Sequence, residues 1–225
     1  MQHRPYGLYE RFIKRPLDSL LAACALLLTL PLLGVLALLV RVKLGAPALF
    51  LQERVGRNER VFRMVKFRTM TDARDENGVL LPDDRRLTPF GKRLRASSLD
   101  ELPELFNILR GDMALVGPRP LHRKYLPYYT ETERMRHTVR PGLSGLAQVC
   151  GRNALDWGER LKLDVAYTRR ITFLADAKIL LLTVKTVWKR DGAQPETGAT
   201  TEDFRDYCAR QNRTPQTNET GGTDG

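Results

Sequence analysis

The sequence predicts an α+β protein, mainly helical and monotopic in the membrane. It should have an N-terminal re-entrant helix-break-helix, a small β-hairpin and interfacial amphipathic helices. Three observations predict this. Residues 19–40, SLLAACALLLTLPLLGVLALLV, form an uncharged run of 22 residues with a proline inside it. Two β-like runs flank GRNER at 56–60. Near the other end, ADAKILLLTVKTVWKR at 175–190 spaces its lysines as a helix would.

The apolar run comes first. As a straight helix it would measure roughly 33 Å, about the hydrocarbon thickness of a bilayer. It is too long for the apolar region of a signal peptide, and no small-residue cleavage site closes it. Burial in a soluble core is the alternative. Pro31 removes a backbone donor near the middle and kinks or breaks a helix. Arg4, Arg11, Lys14 and Arg15 precede the run; Arg41, Lys43, Arg54, Arg57 and Arg60 follow it. Cytoplasmic flanks are the ones enriched in Lys and Arg, so both ends read as cytoplasmic. A hairpin turning at Pro31 satisfies both flanks. A straight span, which a proline kink also allows, would place four positive charges outside. The division that follows is a membrane-associated re-entrant helical hairpin at 1–41, a cytoplasmic domain with interfacial helices at 42–191, where any chemistry must lie, and a disordered tail at 192–225.

Next, Ala48–Val55 and Val61–Phe67 read as strands joined by a five-residue loop. On the second strand Phe62, Met64, Lys66 and Arg68 share a face. Residues 71–90 are polar and contain Gly78, Pro82 and Pro89, so they read as a loop. Leu102, Leu105, Phe106 and Leu109 have helical spacing, with Gly111 as the stop. In the amphipathic segment Lys178, Lys185 and Lys189 lie on one side, away from Leu180, Val184, Val187 and Trp188. That pattern suits a membrane surface and equally a core-packing helix with a solvated lysine stripe. From Gly192 the chain is rich in Thr, Gly, Asn and Gln, a disordered composition.

The 225 residues carry a formal charge of +11. Such an excess calls for an anionic partner: nucleic acid, anionic lipid or phosphorylated substrate. Cys24, Cys150 and Cys208 are scattered and show no metal spacing, which favours a reducing compartment. No zinc pattern and no Ser/His/Asp order emerge.

The chemistry-bearing stretch is SLDELP, residues 98–103. Pro103 is tolerated only in a first helical turn, so a helix should start near Asp100. Asp100 and Glu101 then stand at its positive end, a good place for a carboxylate or a bound phosphate. Acidic residues also begin helices without further role. The surroundings favour chemistry: Arg93 and Arg95 lie just upstream, and Arg119 sits between two prolines in GPRP. Lys66, Arg68, Arg140 and Arg152 add charge, and arginine's donor fork matches phosphate oxygens. A carboxylate can attack phosphorus or hold Mg²⁺ beside substrate phosphates. The residues alone therefore point to chemistry on a phosphorylated substrate at a membrane.

Four stretches, KRPLD (14–18), QERVGRNERVFRMVKFRTM (52–70), SSLDELPELFNILRGDMALVGPRP (97–120) and RPGLSGLAQVCGRN (140–153), resemble the bacterial sugar transferases. These are monotopic phosphoglycosyl transferases, and the chain is similar to their compact form over about residues 10–190. The resemblance implies transfer of a hexose 1-phosphate from a UDP-sugar to undecaprenyl phosphate, with release of UMP. It implies a covalent phosphosugar-enzyme, Mg²⁺, and a re-entrant segment on the cytoplasmic side of the bacterial inner membrane. The family's nucleophile falls on Asp100, and its neighbouring metal-site or acid/base carboxylate on Glu101. Its phosphate-binding residues match Lys66, Arg95, Arg119 and Arg152. Two positions depart from the pattern: Leu30 stands where many members have Ser before the proline, and Cys150 stands where a small polar residue is expected. A non-enzymatic adaptor for anionic lipid would explain the charge and the apolar run, but not SLDELP beside PRP. A nucleic-acid binder fits the charge alone; no recognition motif supports it.

Overall fold

The computed structural model describes residues 3–151, 155–189 and 203–216. Helix α1 spans Lys14–Leu44 and follows a π-type turn at Tyr9–Ile13. It is composed largely of leucine and alanine, strong helix formers. It stops at Gly45, whose positive φ of 87° and N–H to the Arg41 carbonyl close the C-terminus. The helix runs through Pro31 without interruption. The break into two helices expected there is therefore replaced by one helix with an internal proline. Proline's own φ is helical and its cost is one lost bond and a local clash. Thr29 Oγ1 donates to the Ala25 carbonyl at 2.7 Å just before it. Both halves carry buried residues, Ala22 and Leu26 before Pro31 and Leu33, Leu36 and Val40 after it, and all five belong to one core.

Strand β1, Leu49–Val55, pairs antiparallel with β2, Val61–Phe67, placing Leu49 opposite Phe67 and Val55 opposite Val61. Gly56–Arg60 joins them as expected. Residues 71–90 are more ordered than their composition implies. Bridges form at Met70–Leu87 and Arg74–Leu80, Asp75 Oδ1 accepts from the Asn77 and Val79 amides, and α2 spans Asp83–Arg86. Helix α3, Pro89–Ala96, begins with proline at its first position and a Thr88 cap on the Gly91 amide.

Helix α4, Glu104–Arg110, ends at Gly111, as its spacing predicts. Strand β3, Ala114–Val116, pairs in parallel with β4, Gly142–Ser144. Between them lie a 3₁₀ segment at Arg123–Tyr128, α5 at Glu131–Arg134 and a 3₁₀ turn at Met135–Thr138. Helices α6, Leu146–Cys150, α7, Trp157–Arg169, and α8, Phe173–Lys189, follow.

Two regions correct the sequence expectations. On α8, Leu174, Lys178, Leu181 and Lys185 form one exposed stripe, so lysines and exposed leucines share a face; Val184 is exposed too, and Leu180 is half-buried. The tail expected to be disordered contains α9, Phe204–Arg210. Phe204 and Cys208 are fully buried among Tyr125, Tyr129 and Trp157. Lys124 pairs with Asp203 at 2.6 Å and Arg213 with Glu133 at 2.8 Å, fastening its ends.

The root of α1 is anchored by a buried polar cluster. Asp176 on α8 accepts from Lys14 Nζ at 2.6 Å, Tyr9 at 2.9 Å and Tyr167 at 2.7 Å. Lys14 also stands 3.4 Å from Asp18. Arg15 caps the end of α4, donating to the Ile108 and Leu109 carbonyls.

Candidate active site

The site is assembled where β2, the turn before α4 and the GPRP loop meet. Ser98 adopts a left-handed φ of 56°, sparsely populated for a residue with a side chain. It turns the chain from α3 into a single 3₁₀ turn at Leu99–Glu101. Pro103 is the N-cap of α4. Asp100 and Glu101 thus precede the α-helix by a turn instead of starting it, because the left-handed step at Ser98 forces a tighter path.

Asn107, fully buried, ties this helix to the strand carrying Lys66. Its Oδ1 accepts from the Val65 amide at 3.0 Å and its Nδ2 donates to the Arg63 carbonyl at 2.8 Å. The GPRP loop is held by the chain after Arg140: Gly117 donates to the Ser144 carbonyl at 2.9 Å and Gly142 to the Pro118 carbonyl at 3.0 Å. A Cβ at Gly117 would come 2.4 Å from the Arg140 carbonyl, so only glycine permits this approach. Arg136, buried and paired with Asp164 at 2.7 Å, donates to the Arg119 carbonyl at 2.6 Å.

Glu101 Oε1 is the hub. It accepts from Lys66 Nζ at 2.7 Å and from the Arg119 guanidinium at 2.7 Å. Those two cations hold its carboxyl far below the usual range despite burial. Lys66 Nζ also stands 3.1 Å from Glu104 Oε1, a charge contact without hydrogen-bond alignment. Glu104 is 3 % exposed. Burial pushes it up to about 7, against the pull of Lys66.

Asp100 is 7 % exposed, and no group among the described residues hydrogen-bonds its carboxylate. Burial, then the Glu101 charge, push it up to about 6, while Lys66, Arg95 and Arg119 pull the other way. Arg95 is fixed by Nε donating to Thr69 Oγ1 at 2.9 Å. Adjacent carboxylates with divergent pKa values mark a division of labour. Glu101 is a permanent anion that arranges cations. Asp100 is an unengaged acid that ionises near neutrality.

The structure brings together Asp100, Glu101, Lys66, Arg95 and Arg119. Arg152 lies outside the described residues. Three other arginines singled out by sequence have different positions. Arg68 is buried and bonds the Met70 and Ala46 carbonyls, Arg140 bonds the Gly111 carbonyl, and Arg93 is exposed on α3. Glu104 and Asn107 were missed. Their signal was present in ELPELFN: Glu104 follows Glu101 by three residues, and an asparagine interrupts an apolar helix face.

Among the described residues no three His, Cys, Asp or Glu side chains converge as a metal cage. The donors present fit an ion that takes one or two carboxylates from protein and its other ligands from substrate phosphate and water. Glu104 Oε1, buried without a hydrogen bond, marks unused acceptor capacity beside the pair.

The family model described as bacterial sugar transferase matches residues 9–190. The chain is 46 % identical to the uncharacterized sugar transferase EpsL of Bacillus subtilis, covering 85 % of this chain and 95 % of that one. It is 38 % identical to the undecaprenyl-phosphate galactose phosphotransferase of Salmonella typhimurium, over 82 % of this chain and 42 % of the relative. To the UDP-N-acetylgalactosamine-undecaprenyl-phosphate N-acetylgalactosaminephosphotransferase of Aeromonas hydrophila it is 38 % identical, over 81 % and 45 %. The chain thus spans nearly all of EpsL and under half of the other two.

Proposed function

The chain belongs to the bacterial sugar transferase family, and from that premise we propose that it moves a hexose 1-phosphate from a UDP-sugar to undecaprenyl phosphate. In this reading it releases UMP and begins assembly of an exopolysaccharide, O-antigen or other glycoconjugate. The relatives' names, which pair undecaprenyl phosphate with different sugars, support the reaction class. The observation that carries the reading is Asp100: a buried carboxylate, without a hydrogen bond from the described residues and raised to about 6, beside a cluster rich in cations.

The proposed chemistry has two steps. Asp100 attacks the β-phosphorus of the donor; the bond to the bridging oxygen breaks and its electron pair leaves with UMP. The polyprenyl phosphate then attacks the phosphosugar-aspartate, and the Asp100 carboxylate departs. Lys66, Arg95 and Arg119 stabilise charge on the phosphoryl group in both steps. Glu101 holds Lys66 and Arg119 in place. Asp100 and Glu101 would hold Mg²⁺, which when bound supplies further neutralisation of phosphate charge.

Association with one face of the cytoplasmic membrane, catalytic body inside, fits three features. The only helix among the described residues long and apolar enough to cross a membrane is the Tyr9–Leu44 one. Its two halves pack on one core, whereas a straight crossing would carry the far half away from the body. Leu174, Leu181 and Val184 add a second exposed apolar surface on α8.

The test is UMP release from a panel of UDP-sugars with undecaprenyl phosphate and Mg²⁺, for the native protein and Asp100→Asn. Release by the native protein alone supports the reading, and the best donor identifies the hexose. Equal release by Asp100→Asn removes Asp100 as nucleophile.

A further inference from the structure

Arg54, on the hairpin, stands beside this site. In the hairpin, Arg54 lies opposite Phe62, Gln52 opposite Met64 and Phe50 opposite Lys66. Cross-strand partners and alternate residues share a face. Arg54 and Gln52 therefore stand on the same face of the sheet as Lys66.

The Arg54 guanidinium is half-buried and fixed by neutral acceptors. Its Nε and one terminal nitrogen donate to Gln52 Oε1 at 3.1 and 2.6 Å, and the other donates to the Pro120 carbonyl at 3.4 Å. Among the described residues no carboxylate pairs with it. A guanidinium has five N–H donors, so two stay available after these three bonds. Burial and the neighbouring Arg119 charge push its pKa down to about 10, and it stays cationic at neutral pH. Glu104, Tyr125 and Glu101 pull the other way.

The charges around the site fall into two kinds. Lys66 and Arg119 are both ion-paired to the one Glu101 carboxylate. Arg95 and Arg54 are oriented by neutral oxygens, Thr69 Oγ1 in one case, Gln52 Oε1 and Pro120 O in the other. Arg95 acts on Asp100; Arg54 acts on Glu101, Glu104 and Arg119. A guanidinium oriented by neutral oxygens, with no carboxylate bonded to it among the described residues, keeps donors for a ligand. Two such groups, Arg54 and Arg95, together form a receptor for two anionic groups.

We propose that Arg54 is a further substrate-binding residue, seating the donor phosphoryl group that is not attacked and that leaves as the nucleoside monophosphate. This rests on the donor being a nucleoside diphosphate sugar, as proposed above. When Asp100 bonds to the β-phosphorus, the bridging oxygen takes the electron pair. The leaving phosphate gains one negative charge while the carboxylate loses one. That added charge arises at the Arg54 seat, so the residue assists departure as well as binding. His122 borders Arg54; burial and the Arg54 and Lys124 charges push it down to about 4, so it is neutral at pH 7 and adds no cation.

The experiment uses the full chain in lipid nanodiscs. UMP and uridine are titrated calorimetrically into the native protein, Arg54→Gln and Arg54→Lys, and UMP release from the best UDP-sugar is measured in parallel. A loss of roughly 10- to 100-fold in UMP affinity for Arg54→Gln, with uridine binding unchanged, supports the seat; charged hydrogen bonds carry that magnitude. Arg54→Lys should recover part of the affinity, and it keeps the test decisive if the Gln variant does not fold. Native UMP affinity in either folded variant overturns the Arg54 seat and leaves the transferase reading intact. A native protein that neither binds UMP nor releases it from any UDP-sugar overturns both.

Discussion

The anchor under α1 and the cluster around Asp100 are built from the same materials, buried carboxylates with lysine or arginine partners, and they are finished in opposite ways. Asp176 accepts from a lysine and two tyrosines, and the Arg136–Asp164 pair closes on itself and on the Arg119 carbonyl. At the other cluster, among the described residues, no group hydrogen-bonds the Asp100 carboxylate, Glu104 Oε1 has a charge contact with Lys66 but no hydrogen bond, and no carboxylate is bonded to Arg54 or Arg95. Closed clusters hold elements together. An open one leaves charge and acceptor capacity for a ligand, so the way a cluster is finished separates anchorage from chemistry.

The comparison is sharpened most by matched substitutions. Asp100→Asn should lower UMP release by at least about 10³-fold, the order expected when a nucleophile is removed, without lowering the thermal midpoint. Asp176→Asn should do the reverse: it leaves Lys14 buried with a weakened partner and should cost on the order of 3–5 kcal/mol in denaturant unfolding. An Asp176→Asn protein that is fully stable but inactive would break the distinction.

The next effect is on pH dependence. Asp100 rises from an ordinary 3.8 to about 6 in the folded chain. Between those values the folded state binds more protons than the unfolded one, so stability falls as pH rises through the window, by roughly 3 kcal/mol at most. Turnover should rise across the same window as the carboxylate ionises. Opposite slopes of melting temperature and of kcat/KM between pH 4 and 7, roughly the window given by this shift, are the expected signature. Asp100→Asn should flatten this part of the stability slope.

A smaller effect tests how Arg95 is placed. A Cβ at Gly91 would come 1.8 Å from the Thr69 carbonyl oxygen, so Gly91→Ala must push α3 away from the residue that fixes Arg95. A rise of roughly tenfold in KM, with most stability retained, is expected; this is the scale of one lost charged hydrogen bond. Unchanged kinetics would show that the site tolerates a displaced Arg95.

Much of this site was legible because its residues are unusual locally. A carboxylate pair followed by Pro103, and an arginine between prolines, are visible without a fold. Arg54 was hidden because its relation to Lys66 exists only through strand register. Arg68 and Arg140 were equally basic in sequence, but Arg68 bonds the Met70 and Ala46 carbonyls and pairs with Asp72, and Arg140 bonds the Gly111 carbonyl, partners that composition does not show. The continuous α1 was misjudged because a proline's effect depends on whether flanking turns keep their bonds. On α8 the apolar side was only partly legible: Leu180 is half-buried, Val184 is exposed beside Lys185, and the side chains of Val187, Trp188 and Lys189 lie outside the described residues. Helix α9 was missed inside a polar stretch, although Phe204, Tyr207 and Cys208 follow an Asp203 cap at helical spacing.

That last helix lies past residue 190, where the family match stops. Phe204 sits 5.0 Å from the ring of Trp157 and 5.4 Å from that of Tyr125. A chain cut at the family boundary would open this socket to water and present a sticky aromatic patch. Trp157 is one of two tryptophans in the chain, so its fluorescence is an optical gauge of whether α9 is seated. Phe204→Ala should shift that emission to longer wavelength, and the gauge reads the clasp separately from any catalytic assay.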